Sequence, residues 1–303
     1  MARMTRFLFL AVLAGAGLLA AGVVGAAEPE PWQMGFQPAS SPTMEEIHSF
    51  NDLLLWIISL IVVFVLGLLI YVMWRFSEKR NPTPSKTTHN TLIEVVWTVV
   101  PIIILVVIAV PSFRLLYFVE KDADREMEMT IKAIGRQWYW SYEYPDHGNF
   151  TFDAYMIADE DLEDGQKRLL ETDNAVVLPV DTNIRILVTA SDVLHNFAMP
   201  ALGLKMDGVP GRINETWTRI NKEDAGKTLY GQCSELCGTG HAYMPIMIKA
   251  VSKEDFAAWV EEAKEEFARV EDPDQPVSLA DARVESGADS GADAGSKETV
   301  AAD

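Results

Sequence analysis

Two thiols, an imidazole and a thioether lie within one twelve-residue stretch, Cys233-Ser234-Glu235-Leu236-Cys237-Gly238-Thr239-Gly240-His241-Ala242-Tyr243-Met244. Soft and borderline metals prefer such donors, copper above all. Cys233, Cys237 and His241 recur at every fourth residue, so a tightly coiled loop can aim two sulfurs and a nitrogen at one point. A single loop cannot surround a metal. A further ligand is therefore expected, and His195, in Asp192-Val193-Leu194-His195-Asn196-Phe197, is the best candidate. It follows the strand-like run 184–189 and is one of only five histidines.

Other readings of the same residues exist. Two cysteines in an exported chain commonly form a disulfide, and zinc also takes Cys and His. Structural zinc sites rarely use Met, however, whereas copper electron-transfer sites do. A mononuclear blue-copper centre needs one Cys, two His and a weak axial Met. The second cysteine exceeds that set, and two bridging thiolates can hold two copper ions close together.

On these residues the loop resembles the dinuclear copper A site of cytochrome c oxidase subunit II, of the bacterial aa3 type. The resemblance covers roughly residues 36–265. It implies the ligands His195, Cys233, Glu235 through its backbone carbonyl, Cys237, His241 and Met244, with both cysteines bridging. It implies that the Glu235 carboxylate, a hard oxygen donor, holds magnesium or manganese shared with subunit I. In Gly135-Arg136-Gln137-Trp138-Tyr139-Trp140, Trp138 matches the exposed aromatic that takes up the electron, and Arg136 stands where the family often has His. Glu94 matches the mouth of a proton path in subunit I; by itself it is an acid at a helix N-terminus, where the dipole favours it. Glu143, Asp146, Asp173 and Asp192 match acids that dock cytochrome c. The implied partners are subunit I with haem a, haem a3 and copper B, subunit III, cytochrome c and the membrane.

Two neighbouring classes share parts of this pattern. A quinol oxidase subunit II has the fold without the copper ligands, all of which are present here. Nitrous oxide reductase shares the copper motif but is soluble and needs a large catalytic domain. No Cys-x-x-Cys-His occurs in the chain, so covalently attached haem is not expected.

The elements that must position these residues can be read from hydropathy and charge. Residues 1–27 carry Arg3 and Arg6, then an uncharged run that becomes rich in Ala and Gly and ends Gly25-Ala26-Ala27. An export signal is expected there, with a first transmembrane helix as the alternative, followed by an exported segment over 28–48. A membrane hairpin is expected over 49–119. Its first apolar run, 53–74, has 22 uncharged residues, enough to cross a core of ~30 Å. The second, 95–113, continues past Arg114. Between them lie Arg75, Lys79, Arg80 and Lys86, while Glu45, Glu46, Asp52, Glu120, Asp122, Asp124 and Glu126 flank the outer ends. The positive-inside rule puts that loop in the cytoplasm. The copper domain and both mature termini then face the periplasm, across a bacterial inner membrane.

Short alternating runs replace the long apolar ones after residue 120. Strands are expected over 127–134, 137–144, 175–180, 184–189, 212–220 and 246–251, separated by Gly, Pro, Asn and Asp. An all-β Greek-key domain of the cupredoxin kind, over 120–251, fits this spacing. Ser252 begins a helix over 252–270, with Asp255 reaching back to the cap and Phe256, Trp259, Val260 and Phe267 on one face. The tail 271–303 has the composition of a disordered segment. Between residues 119 and 270, 28 acidic residues face 16 basic ones. Such a surface repels nucleic acid and attracts a basic protein.

Overall fold

The structure, a computed structural model, describes residues 27–120 and 126–267. The expected signal, apart from Ala27, and the acidic tail lie outside these residues. Ala27 itself is buried. Its N–H donates to the Thr228 carbonyl and its carbonyl accepts from the Tyr230 N–H, so it caps a strand edge as part of the folded domain.

Helix α1 (Pro42–Arg75) starts about three turns before the apolar run. The Ser41 side chain accepts from the Met44 N–H at 3.1 Å, and Pro42 occupies the first turn, where its missing N–H costs nothing. The exported segment expected over 28–48 therefore ends at Ser41. Helix α2 (Thr91–Glu120) begins at a reciprocal cap: the Asn90 side chain accepts from the Ile93 N–H and the Glu94 carboxylate from the Asn90 N–H. It runs through Pro101 and Pro111. Both helices are long and apolar enough to cross a bilayer, and none of the residues in their apolar windows is buried.

The β-domain is a sandwich of two five-stranded sheets. One contains β1 (Met129–Arg136), β2 (Tyr139–Tyr144), β3 (Phe150–Ala154), β5 (Ile184–Ala190) and β8 (Asn214–Thr218), in the order β3-β2-β1-β5-β8. The other contains β4 (Val176–Pro179), β6 (His195–Met199), β7 (Leu204–Gly208), β9 (Thr228–Cys233) and β10 (Pro245–Val251), in the order β4-β10-β9-β6-β7. Pairing is antiparallel except β1 with β5 and β10 with β4. Ile131, Trp140, Tyr142, Ile184 and Ile186 from the first sheet meet Leu178, Phe197, Met199, Leu229 and Ile248 from the second in one buried cluster. The Tyr144 hydroxyl, bonded to both the N–H and the carbonyl of Val177, links the sheets.

Helix α3 (Lys253–Glu266) closes one end of the sandwich, packing Phe256 and Val260 inward and Trp259 against Tyr144 and Phe150. Ser252 caps it by accepting from the Asp255 N–H. Asp255 answers the Ser252 hydroxyl rather than its backbone.

Six expected strands are present with ends shifted by a few residues, but Gln137 and Trp138 form a turn rather than the start of β2. Four strands, β3, β6, β7 and β9, were not expected from the sequence pattern.

Candidate metal centre

Strand register brings the two halves of the donor set together. Phe197 on β6 pairs with Cys233 on β9, which places His195, two residues earlier, beside the last residue of β9. The loop from Ser234 to Met244 then returns to β10, closed where the Cys233 N–H meets the Met244 carbonyl at 3.4 Å. Ser234 donates its N–H to the Asn196 carbonyl, tying the loop to β6. Gly238 lies at φ +115°, a conformation that a side chain would strain.

The two thiol sulfurs lie 3.9 Å apart, well beyond the ~2.05 Å of a disulfide. Cys233 Sγ is 3.8 Å from His195 Nδ1 and 3.3 Å from the Glu235 carbonyl oxygen. Cys237 Sγ is 3.6 Å from His241 Nδ1 and 3.5 Å from Met244 Sδ. One donor atom each from His195, Cys233 and Cys237 falls within a 4.8 Å sphere of mutual distance, and all three residues are buried. The convergence of soft donors suits copper better than a hard cation. Each thiol has its own imidazole, and the thioether lies against Cys237. Burial opposes ionisation of Cys233, but hydrogen bonds from His195 and from backbone groups bring its pKa below the usual thiol range. Burial and the neighbouring Cys233 sulfur push Cys237 the other way. The first thiolate of the pair is thus favoured and the second opposed.

His195 is held on three sides. Its Nε2 bonds the Asp192 carboxylate at 2.9 Å, the Trp140 ring meets it edge-on at 6.0 Å between centroids, and Gly135 lies beneath. A Cβ on Gly135 would come within 2.7 Å of the imidazole, so only glycine leaves room for the ring. Trp138 is half-buried rather than exposed. Its indole N–H donates to the Cys237 carbonyl at 3.1 Å, and its ring lies against Gly240.

The four acids expected to dock a partner do not form one surface. Glu143 is paired with Lys132 at 3.1 Å, with only 12% and 8% of the two side chains exposed. Asp146 accepts from the Thr130 N–H. Both sit at the far end of β2 from Trp138, some ~17 Å away at strand rise. Asp173 is exposed and accepts from the Tyr155 N–H, and the Tyr155 ring stacks on Tyr139 at 4.4 Å. Asp192 is occupied with His195, Val193 and Gln137. Glu235 has an exposed side chain outside the cluster, and Glu94 is committed to the α2 cap. Sequence reasoning overlooked Gly135, Gln137 and Trp140, and gave Asp192 only a docking role. A carboxylate three residues before a ligand His was the available signal, because ligating histidines usually donate their second N–H to such a group.

A copper-binding β-sandwich of the cupredoxin kind, mounted on a two-helix membrane hairpin, is the class that fold and site define. Residues 129–251 match the family model for the periplasmic domain of cytochrome c oxidase subunit II, and residues 29–115 match its transmembrane domain. The probable cytochrome c oxidase subunit 2 of Rickettsia bellii is 58% identical over 235 residues, covering 78% of this chain and 86% of that one. Cytochrome c oxidase subunit 2 of Arabidopsis thaliana is 50% identical over 236 residues, covering 76% and 89%. Among solved structures, the periplasmic domain of subunit II of cytochrome oxidase from Bradyrhizobium japonicum matches with 53% identity and a TM-score of 0.44, covering 48% of this chain and 99% of that one. The chain belongs to the cytochrome c oxidase subunit II family. It is a membrane protein, and part of an oxidoreductase complex, with the His and two Cys of a copper A site.

Proposed function

We propose that this chain takes electrons from cytochrome c at a dinuclear copper A centre and passes them to haem in subunit I, where oxygen is reduced and protons are pumped. The observation that carries this reading is the pairing of two unlinked thiols 3.9 Å apart, each with its own imidazole. A copper pair, when bound, supplies a one-electron carrier that changes charge with little rearrangement. Cys233, Cys237, His195, His241, Met244 and the Glu235 carbonyl would hold it.

The protein's own residues handle access and orientation. The Trp138 indole, hydrogen-bonded to the Cys237 carbonyl, offers the partner a direct contact with the ligand loop. Asp173 and the stacked Tyr139 and Tyr155 border that contact and favour a basic donor with an aromatic-tolerant face. The exposed Glu235 carboxylate, a hard oxygen donor, would hold a magnesium or manganese ion completed by subunit I. The basic loop between α1 and α2 lies in the cytoplasm, so the copper domain faces the periplasm of a bacterial inner membrane. Glu94 caps α2 at that cytoplasmic edge, where it would border a proton path of subunit I.

The test is direct. The full chain in detergent, reconstituted with copper, should bind two ions and turn purple with the spectrum of a delocalised mixed-valence pair. One copper per chain with a blue-copper spectrum, or no uptake, refutes the dinuclear reading.

A further inference from the structure

We propose that Asp192 and Gln137 are positioning residues that latch the Trp138 turn to ligands on both sides of the metal loop. This rests on the copper reading above. Asp192 Oδ1 accepts from His195 Nε2 at 2.9 Å and from the Val193 N–H at 2.7 Å, while Oδ2 accepts from the Gln137 N–H at 2.7 Å. One carboxylate therefore joins the backbone of the β1–β2 turn to the imidazole of His195. On the other side, the Gln137 side-chain N–H donates to the Cys237 carbonyl at 2.8 Å, alongside the Trp138 indole at 3.1 Å.

Charge-assisted hydrogen bonds are roughly twice as strong as neutral ones, so the Asp192 side of the latch is the firmer. Its three donors occupy both carboxylate oxygens and leave little acceptor capacity for an outside partner. The bond to Nε2 also fixes the orientation of the ring and turns Nδ1 toward Cys233 Sγ. Gly135, immediately before Arg136 and Gln137, lies under the same imidazole. The four residues from Gly135 to Trp138 thus touch His195 at one end and the Cys237 peptide at the other. A partner pressing on the turn presses on both ligands.

Two substitutions at one position separate the parts. Asp192→Ala removes every bond. Asp192→Asn keeps an oxygen for His195 and Val193 but turns an amide N–H toward the Gln137 N–H, breaking the latch to the turn. Copper affinity of the full chain should fall about 10–100-fold in Asp192→Ala and change less than threefold in Asp192→Asn. Gln137→Leu should keep two coppers but shift their midpoint potential, because the Cys237 peptide loses a donor.

A copper-free measurement separates failure of this inference from failure of the copper reading. In the full chain with 15N-labelled histidine, one of the five imidazoles should show a hydrogen-bonded, slowly exchanging Nε2–H that is released in Asp192→Ala but not in Asp192→Asn. If Asp192→Ala leaves that resonance, the copper affinity and the spectrum unchanged, and alters only the salt-dependent association with a basic cytochrome, then Asp192 is a docking acid and the inference is overturned. If copper never binds but that Nε2–H behaves as described, the latch stands and the dinuclear reading falls.

Discussion

Cys233, Met244 and Trp138 lie within one loop and its lid, yet their loss should have three different consequences. A hydroxyl is a poor bridging ligand, so Cys233→Ser should abolish the two-copper spectrum and leave at most one weakly held ion. Met244 is buried with its sulfur 3.5 Å from Cys237 Sγ, but a thioether is a weak axial donor that tunes potential more than it holds metal. Met244→Leu, close in volume, should retain both coppers and shift their midpoint potential, read by redox titration. Trp138→Ala should leave copper content intact and slow reduction by bound cytochrome c at least tenfold in stopped-flow, with association at low salt almost unchanged. Equal loss of affinity would make Trp138 a docking contact and not a conduit. Glu143 belongs to another category altogether. Glu143→Ala strands the Lys132 ammonium in a site where only 8% of its side chain is exposed, which should cost roughly 3 kcal/mol of stability. Denaturant unfolding should detect that loss, while the salt dependence of cytochrome association stays as in the parent.

Helix α3 shows how an element depends on a cap and on a neighbour from another element. Ser252→Ala removes the acceptor for the Asp255 N–H and should destabilise the helix by about 1 kcal/mol. His147, in the turn after β2, meets Phe256 of α3 edge-on at 5.1 Å. Burial lowers its pKa from 6.5, with Asp146 opposing and Lys264 assisting that shift. The folded state therefore binds this proton less readily than the unfolded chain does. The stabilisation is complete above pH 6.5 and is lost as pH falls below it, toward the lowered folded value. Trp259 fluorescence should report α3 loosening at lower temperature at pH 5 than at pH 7, and His147→Gln should flatten that difference. The helix itself was legible in the sequence because Ser252 and the apolar spacing of Phe256, Val260 and Phe267 agree. Strand β6 was not. All five of its residues are buried, so no alternation marks it, and its first residue attracted attention as a ligand. Strand β9 was hidden by Gly231, which looks like a turn residue but is needed because a Cβ would collide with the Ala198 carbonyl. The donor set was legible since soft side chains are rare. Its lid and floor were not, because Gln137 and Gly135 act only through register.

For the whole molecule, among the described residues, the copper domain is mounted on the hairpin at two places. Near α2 the Trp217 indole donates to the Val119 carbonyl at 2.9 Å, and Phe118 packs edge-on against the same ring. Near α1 the Ser41 hydroxyl donates to the Leu202 carbonyl at 2.8 Å, the Ser40 N–H donates to the Ala201 carbonyl while the Ser40 carbonyl accepts from the Asn221 N–H, and the Asn221 side chain reaches Glu45 at 2.7 Å. Gly203 is the tightest point of this second mount. It sits at φ +68°, and a Cβ there would meet Ile47 Cδ1 at 2.9 Å and the Met44 backbone at 3.4 Å. Gly203→Ala therefore combines left-handed strain with a clash against α1, and the domain must tilt or the helix must shift. The copper loop joins β9 to β10, and His195 lies at the opposite end of β6 from Gly203, so the ligands should keep their arrangement. Electron transfer falls steeply with separation, so a tilted mount should be felt where the electron leaves for subunit I and not where it arrives. In the assembled oxidase, Gly203→Ala should show an unaltered copper spectrum and unaltered reduction by cytochrome c, with haem reduction in subunit I slowed severalfold in flash-initiated kinetics. Normal haem reduction would mean that contacts with subunit I, and not the hairpin mount, fix the height of the copper domain above the membrane.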